Sequence, residues 1–78
     1  MADLTRITAA PNVMMGKPVV AGTRLTVEHI LDELAGGLSI EDLLASHPRL
    51  TRDDVQAALA FAARSVRMER VAFVPLAS

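Results

Sequence analysis

Apolar residues recur along the middle of the chain at the spacing of an α-helix. From Val27 to Leu34 they occupy the i, i+3, i+4 and i+7 positions that form one face of a helix. Thr26 stands where its hydroxyl can cap the N-terminus of this helix. Gly36-Gly37 can end it, because glycine readily takes the left-handed conformation found at helix C-termini. The pattern predicts a first helix over residues 27–35.

Two further helices are indicated after the glycine pair. Ser39 and Asp42 resemble a capping box, and Pro48 disfavours helix at the residue before it, so a second helix of about two turns is expected between them. Thr51 is placed to cap a third helix, over residues 52–67. Its apolar stripe consists of Val55, Ala58, Leu59, Ala62 and Val66.

The flanking segments have the composition of β-strands. Residues 4–9 alternate apolar and polar side chains and predict a strand. Residues 18–27 predict a hairpin that starts at Pro18, with Gly22-Thr23 as a type II′ turn between residues 19–21 and 24–26. The apolar C-terminal segment predicts a short strand or tail. The expected fold is mainly α: a three-helix, helix-turn-helix core (27–67) with an N-terminal β-hairpin region (1–26) and an apolar tail (68–78), all in one domain.

The composition of the chain predicts its oligomeric state and its location in the cell. A chain of 78 residues has only a small core. With 51% hydrophobic residues, some apolar side chains must remain on the surface, where a second subunit could cover them. We therefore expect a homodimer or higher oligomer. The chain contains no cysteine, which favours an intracellular protein. It has no apolar run of about 18 residues and no signal-peptide profile, so we expect a cytoplasmic protein without a membrane partner.

The residues that could carry chemistry give no support for an enzyme. Gly16-Lys17 is followed by Pro18, which does not fit a phosphate-binding loop. His29 and His47 lie eighteen positions apart without a ligand spacing, so neither a metal nor another cofactor is expected. We expect His29 to be solvated on a polar helix face and His47 to lie at a helix end.

The second and third predicted helices have the layout of a helix-turn-helix. In that layout the later helix lies in the DNA major groove, led by its N-terminal residues. The net charge is −1 and the pI about 6.0, so a DNA contact would depend on a local concentration of arginines in the C-terminal half. The candidate DNA contacts are Lys17, Arg24, Arg49, Arg52 and Gln56. Because this geometry also occurs in domains that never touch DNA, the alternative is a small dimeric protein-interaction module.

Residues 7–63 resemble the bacterial family called domain of unknown function 433. The specific features are Gly16-Lys17-Pro18 in register with Gly22-Thr23-Arg24, followed by Ser39-Ile40-Glu41 and a proline-led turn into the last helix. Position 15 departs from the pattern, because this chain has Met15 where a glycine is common in the family.

The resemblance implies a homeodomain-like core and the role of a VapB-like antitoxin in a type II toxin-antitoxin system. Such a protein binds its own operator DNA as a dimer, regulates transcription, and neutralises a PIN-like ribonuclease toxin through another segment. The expected toxin-binding residues are in the tail: Val71, Phe73, Val74 and Leu76. The alternative is that the tail pairs only within the homodimer.

Overall fold

The computed structural model describes residues 3–69 of the chain. Two short strands, β1 (Ile7–Thr8) and β2 (Val19–Val20), precede three helices, α1 (Val27–Ala35), α2 (Ile40–Ser46) and α3 (Arg52–Glu69). The strands pair antiparallel, with Ile7 opposite Val20. This arrangement confirms the predicted fold class. The predicted C-terminal strand or tail lies outside the described residues.

The helices begin and end close to the predicted positions because local capping residues determine them. Thr26 Oγ1 accepts the His29 N–H at 3.0 Å at the start of α1. At α2 the capping box is complete: Asp42 N–H donates to Ser39 Oγ at 3.0 Å, and Ser39 N–H donates to an Asp42 carboxylate oxygen at 3.2 Å. Gly37, with φ +105°, follows the end of α1. α3 runs two residues beyond the predicted end at residue 67.

The core lies where the three helices meet the strand pair. Each helix contributes one fully buried large side chain: Ile30 from α1, Leu43 from α2 and Val55 from α3. Val20 of β2 joins the same cluster. Since all three helices and a strand share it, the strand pair and the helices form one packed unit over residues 3–69.

The N-terminal strand is shorter than the prediction for residues 4–9. Leu4–Arg6 form a 3₁₀ turn, leaving only Ile7–Thr8 as strand. Asp3 Oδ1 accepts both the Thr5 N–H at 3.0 Å and the Thr5 hydroxyl at 2.6 Å. These local bonds offer the backbone an alternative to the sheet, so the strand prediction is wrong for residues 4–6.

The turn after β2 is centred one residue earlier than predicted. Thr23 N–H donates to Val20 O at 3.0 Å, which places Ala21 and Gly22 at the two central positions. Gly22 has φ +78°, the value required at the third residue of a type II turn, so the predicted type II′ turn is wrong. Val20 N–H donates to Leu25 O at 2.9 Å, so the whole connection spans four residues, 21–24, and the Thr23 hydroxyl stabilises it by accepting the Leu25 N–H at 3.0 Å.

Met15 adopts a left-handed backbone conformation that favours glycine. Its φ and ψ are 58° and 32°, and the residue is 90% exposed. A side chain in this region costs roughly 1–2 kcal/mol, part of which is offset by the greater freedom of glycine in the unfolded chain. We therefore expect Met15→Gly to raise the free energy of unfolding by about 1 kcal/mol in urea titrations. Met15→Ala is the matched control, and a glycine variant no more stable than it would contradict the left-handed conformation.

Candidate nucleic-acid interface

Two of the five predicted DNA contacts lie together at one edge of the molecule. Arg24 follows the turn after β2, and Arg49 lies in the turn between α2 and α3. Both are exposed, and both line two adjoining grooves of about 440 and 400 Å³. The fold thus brings two cations that are distant in sequence to one surface, defined here as the Arg24–Arg49 edge.

The Arg24–Arg49 edge carries positive charge that nearby carboxylates do not neutralise. None of the salt bridges within residues 3–69 involves either arginine. The groove walls are formed by small, hydroxyl and apolar residues such as Thr8, Val13 and Pro48. Both guanidinium groups are therefore available to an anion that approaches this edge.

Two other predicted contacts are engaged in exposed ion pairs. Lys17 Nζ lies 3.0 Å from Glu28 Oε1, and Arg52 donates to a carboxylate oxygen of Glu41. The hydrogen bond from Arg52 is the main reason that the pKa of Glu41 is lowered. Pairs this exposed contribute little to stability because solvent screens them, so a phosphate can replace either carboxylate at small cost. Gln56, the fifth predicted contact, is exposed on α3.

Arg6, a residue far from α3 in the sequence, contacts the start of that helix. Asp54 is only 6% exposed, and its carboxylate accepts the Thr51 N–H at 3.0 Å and Arg6 Nη1 at 3.1 Å. The capping relation between Thr51 and Asp54 is visible in the sequence. Arg6 lies 48 positions away from Asp54, and no local pattern indicates the contact. Asp54 is therefore a structural residue that closes the N-terminus of α3 onto the N-terminal segment.

The two histidines meet across a shared carboxylate. His29 Nε2 and His47 Nε2 each lie 2.9 Å from Glu33 Oε1, and the imidazole rings meet edge to face with centroids 5.9 Å apart. The hydrogen bond with His47 is the largest cause of the lowered pKa of Glu33. The two histidines are eighteen positions apart in the sequence, so their spacing did not predict a cluster. In the fold, α1 packs beside the end of α2 and brings both imidazole groups to Glu33. His29 is half-exposed and contacts Glu33 in addition to solvent.

Two exposed apolar side chains lie near the C-terminus of α3. Val66 is 60% exposed and Met68 is 70% exposed. The predicted partner-binding residues follow them in the sequence and lie outside the described part of the chain: Val71, Phe73, Val74 and Leu76. Among residues 3–69, no helix is long and apolar enough to cross a membrane.

Together these features define a small three-helix domain of the helix-turn-helix type, with a strand pair at its N-terminus. The chain belongs to the family described as "Protein of unknown function (DUF433)", which matches residues 7–62. The family resemblance read from the glycine motifs is thereby confirmed.

Two relatives show how far the similarity extends. "Uncharacterized protein y4eO" from Sinorhizobium fredii (strain NBRC 101917 / NGR234) is 34% identical over 56 residues, or 72% of this chain. The matched segment covers 25% of that relative, so this chain corresponds to about a quarter of its length. The crystal structure of a DUF433 member protein from Anabaena variabilis ATCC 29413 has a TM-score of 0.75 and 27% identity. That match covers 83% of this chain and 65% of the other.

Proposed function

We propose that this chain is a cytoplasmic, DNA-binding transcriptional regulator of the antitoxin type, acting on its own operator as a dimer. The observation that carries the proposal is the Arg24–Arg49 edge beside the turn that leads into α3. Two exposed cations from different turns converge there, and neither has a salt-bridge partner within residues 3–69. Phosphate groups are the anions that a helix-turn-helix meets when its later helix enters the major groove.

The two groups of predicted contacts take different roles in this proposal. Arg24 and Arg49 hold phosphates and set the orientation of the domain, which carries no sequence information by itself. Arg52 and Gln56, exposed at the start of α3, face base edges, where arginine suits guanine and glutamine suits adenine. To reach a base, Arg52 must give up its ion pair with Glu41. Lys17 can likewise give up Glu28 and bind a phosphate, since both ion pairs are exposed and weak.

A double substitution at the edge tests the phosphate contacts. Arg24→Ala/Arg49→Ala should weaken binding at least tenfold to a duplex taken from upstream of the chain's own reading frame, measured by fluorescence anisotropy at fixed salt. Each lost phosphate contact should also reduce the slope of log affinity against log salt by about one.

Arg64→Ala/Arg67→Ala is the matched control for that substitution. It removes the same charge from exposed positions on α3, with Arg64 about 18 Å along the helix from Arg52 at a rise of 1.5 Å per residue. We expect a loss of affinity of less than threefold for the control. Equal losses in the two double variants would show that only net charge matters, and this would contradict the Arg24–Arg49 edge as the DNA contact.

The second part of the proposal assigns the toxin contact to the tail. Val71, Phe73, Val74 and Leu76 would lie on a PIN-like ribonuclease as an added strand or extended segment, driven by burial of apolar surface. Support comes from the family resemblance and from Val66 and Met68, two exposed apolar side chains that precede the tail in the sequence.

A protein-interaction module without DNA binding is the second candidate function. Two observations favour it: Val66 and Met68 are exposed apolar side chains that a protein partner could cover, and the start of α3 has exposed carboxylates nearby. Those carboxylates belong to Glu41, Asp42 and Asp53. Under this alternative, Arg24 and Arg49 would contact acidic groups of a protein partner instead of phosphates.

A further inference from the structure

We propose that His29, Glu33 and His47 form a binding site for a divalent zinc-type cation, which would join α1 to the end of α2. One ligand atom from each residue lies within 4.8 Å of the other two. The chain contains two histidines, and both are in this cluster. The inference concerns metal binding alone and does not depend on the proposed DNA contact.

The distances leave room for an ion after small side-chain adjustments. Zinc binds histidine nitrogen and carboxylate oxygen at about 2.0–2.2 Å in a tetrahedral arrangement, which sets neighbouring ligand atoms roughly 3.3 Å apart. Both nitrogen–oxygen separations are now 2.9 Å, and the nitrogens lie within 4.8 Å of each other. The required spacing falls between these values. To reach it, the two nitrogens would approach each other by at most about 1.5 Å, shared between two imidazole groups, and each nitrogen–oxygen separation would open by about 0.4 Å.

α1 and the end of α2 fix the backbone positions of the three ligand residues. His29 and Glu33 are one turn apart on α1, so their side chains share a face. His47 ends α2, where its N–H donates to Leu43 O at 3.0 Å. Leu43 is fully buried, so this end of α2 is anchored to the core. Two rigid elements thus hold three ligands with no need for the chain to rearrange.

The three ligand atoms and their exposure to solvent favour a zinc-type ion whose fourth coordination position is open. Two imidazole nitrogens and one carboxylate form a three-ligand set that suits zinc better than magnesium or calcium, which prefer oxygen ligands. The side chains of His47 and Glu33 are 28% and 23% exposed, and that of His29 is 54% exposed. Solvent therefore reaches the cluster, and water would complete the coordination.

Calorimetric titration of Zn²⁺ into the untagged, metal-free full chain tests the site. We expect one ion per chain, with a dissociation constant in the micromolar range. His29→Asn and His47→Asn should each weaken binding at least tenfold. Asp32→Asn, which removes an exposed acid from the same helix outside the cluster, should change affinity less than twofold. Circular dichroism checks that each variant keeps its helices.

Spectroscopy supplies the second readout. Co²⁺ added in place of Zn²⁺ should give the intense visible absorption of tetrahedral cobalt, and nuclear magnetic resonance should show both imidazole groups shifting together. Saturation only at millimolar Zn²⁺, or equal affinity in the parent and the histidine variants, would overturn the proposal. Either result would leave the cluster as a pair of hydrogen bonds to Glu33.

Discussion

Replacing Leu43 with alanine should lower the free energy of unfolding by about 3 kcal/mol. Leu43 is fully buried on α2 and packs in the cluster that contains Ile30 and Val55. The substitution removes buried methyl groups and leaves a cavity that the helices fill only in part. A core this small supplies about 3–5 kcal/mol in total, so much of the variant should be unfolded at room temperature.

Urea denaturation followed by circular dichroism measures this loss. Leu38→Ala is the matched control, because Leu38 precedes α2 and is 36% exposed. The same chemical change there should cost less than about 1 kcal/mol, since fewer methyl groups leave water on folding. Equal costs at the two positions would contradict the placement of Leu43 at the centre of the core.

Replacing Asp54 with alanine should lower the free energy of unfolding by about 2 kcal/mol. The carboxylate caps α3 through the Thr51 N–H and holds Arg6 at 3.1 Å. Its removal leaves the Thr51 N–H without its partner and breaks the ion pair between Arg6 and the start of α3. The Arg6 side chain is 38% exposed and can recover contact with water, which keeps the loss below that of a fully buried ion pair.

A double-mutant cycle separates the ion pair from the helix cap. Arg6→Ala and Asp54→Ala, singly and together, should show a coupling energy of about 1 kcal/mol in urea denaturation. Asp53→Ala is the control, because Asp53 is 78% exposed and lies 3.6 Å from Arg6. We expect it to cost less than about 0.5 kcal/mol. A cost at Asp53 equal to that at Asp54 would contradict the assigned role of Asp54.

Helix positions in this chain could be predicted because they depend on neighbours in the sequence. Thr26, Ser39 and Thr51 cap the helices through bonds to residues three positions later, so a short window contains the whole interaction. The same local chemistry explains the errors. Asp3 competes with the sheet for the Thr5 N–H, and the Thr23 hydroxyl allows a longer turn than the predicted two-residue one.

The candidate sites depend on contacts that no short window contains. Arg24 and Arg49 were each predictable as exposed cations, but their shared edge follows from packing of the β2 turn beside the α2–α3 turn. The His29–Glu33 spacing of four is visible on a helix, whereas His47 joins them only when α2 packs beside α1. Arg6 and Asp54 likewise meet only in the folded chain.

The salt dependence of DNA binding tests the central proposal most directly. Log affinity of the wild-type chain for the upstream duplex should fall linearly with log salt concentration, because bound phosphates release counterions. At about 0.9 per contact, a dimer with Arg24 and Arg49 of each chain on phosphates predicts a slope of about −3.6, and Lys17 of each chain on a further phosphate would steepen it to about −5.4. A slope near zero, or no binding at low salt, would contradict the DNA-binding proposal and favour the protein-interaction module.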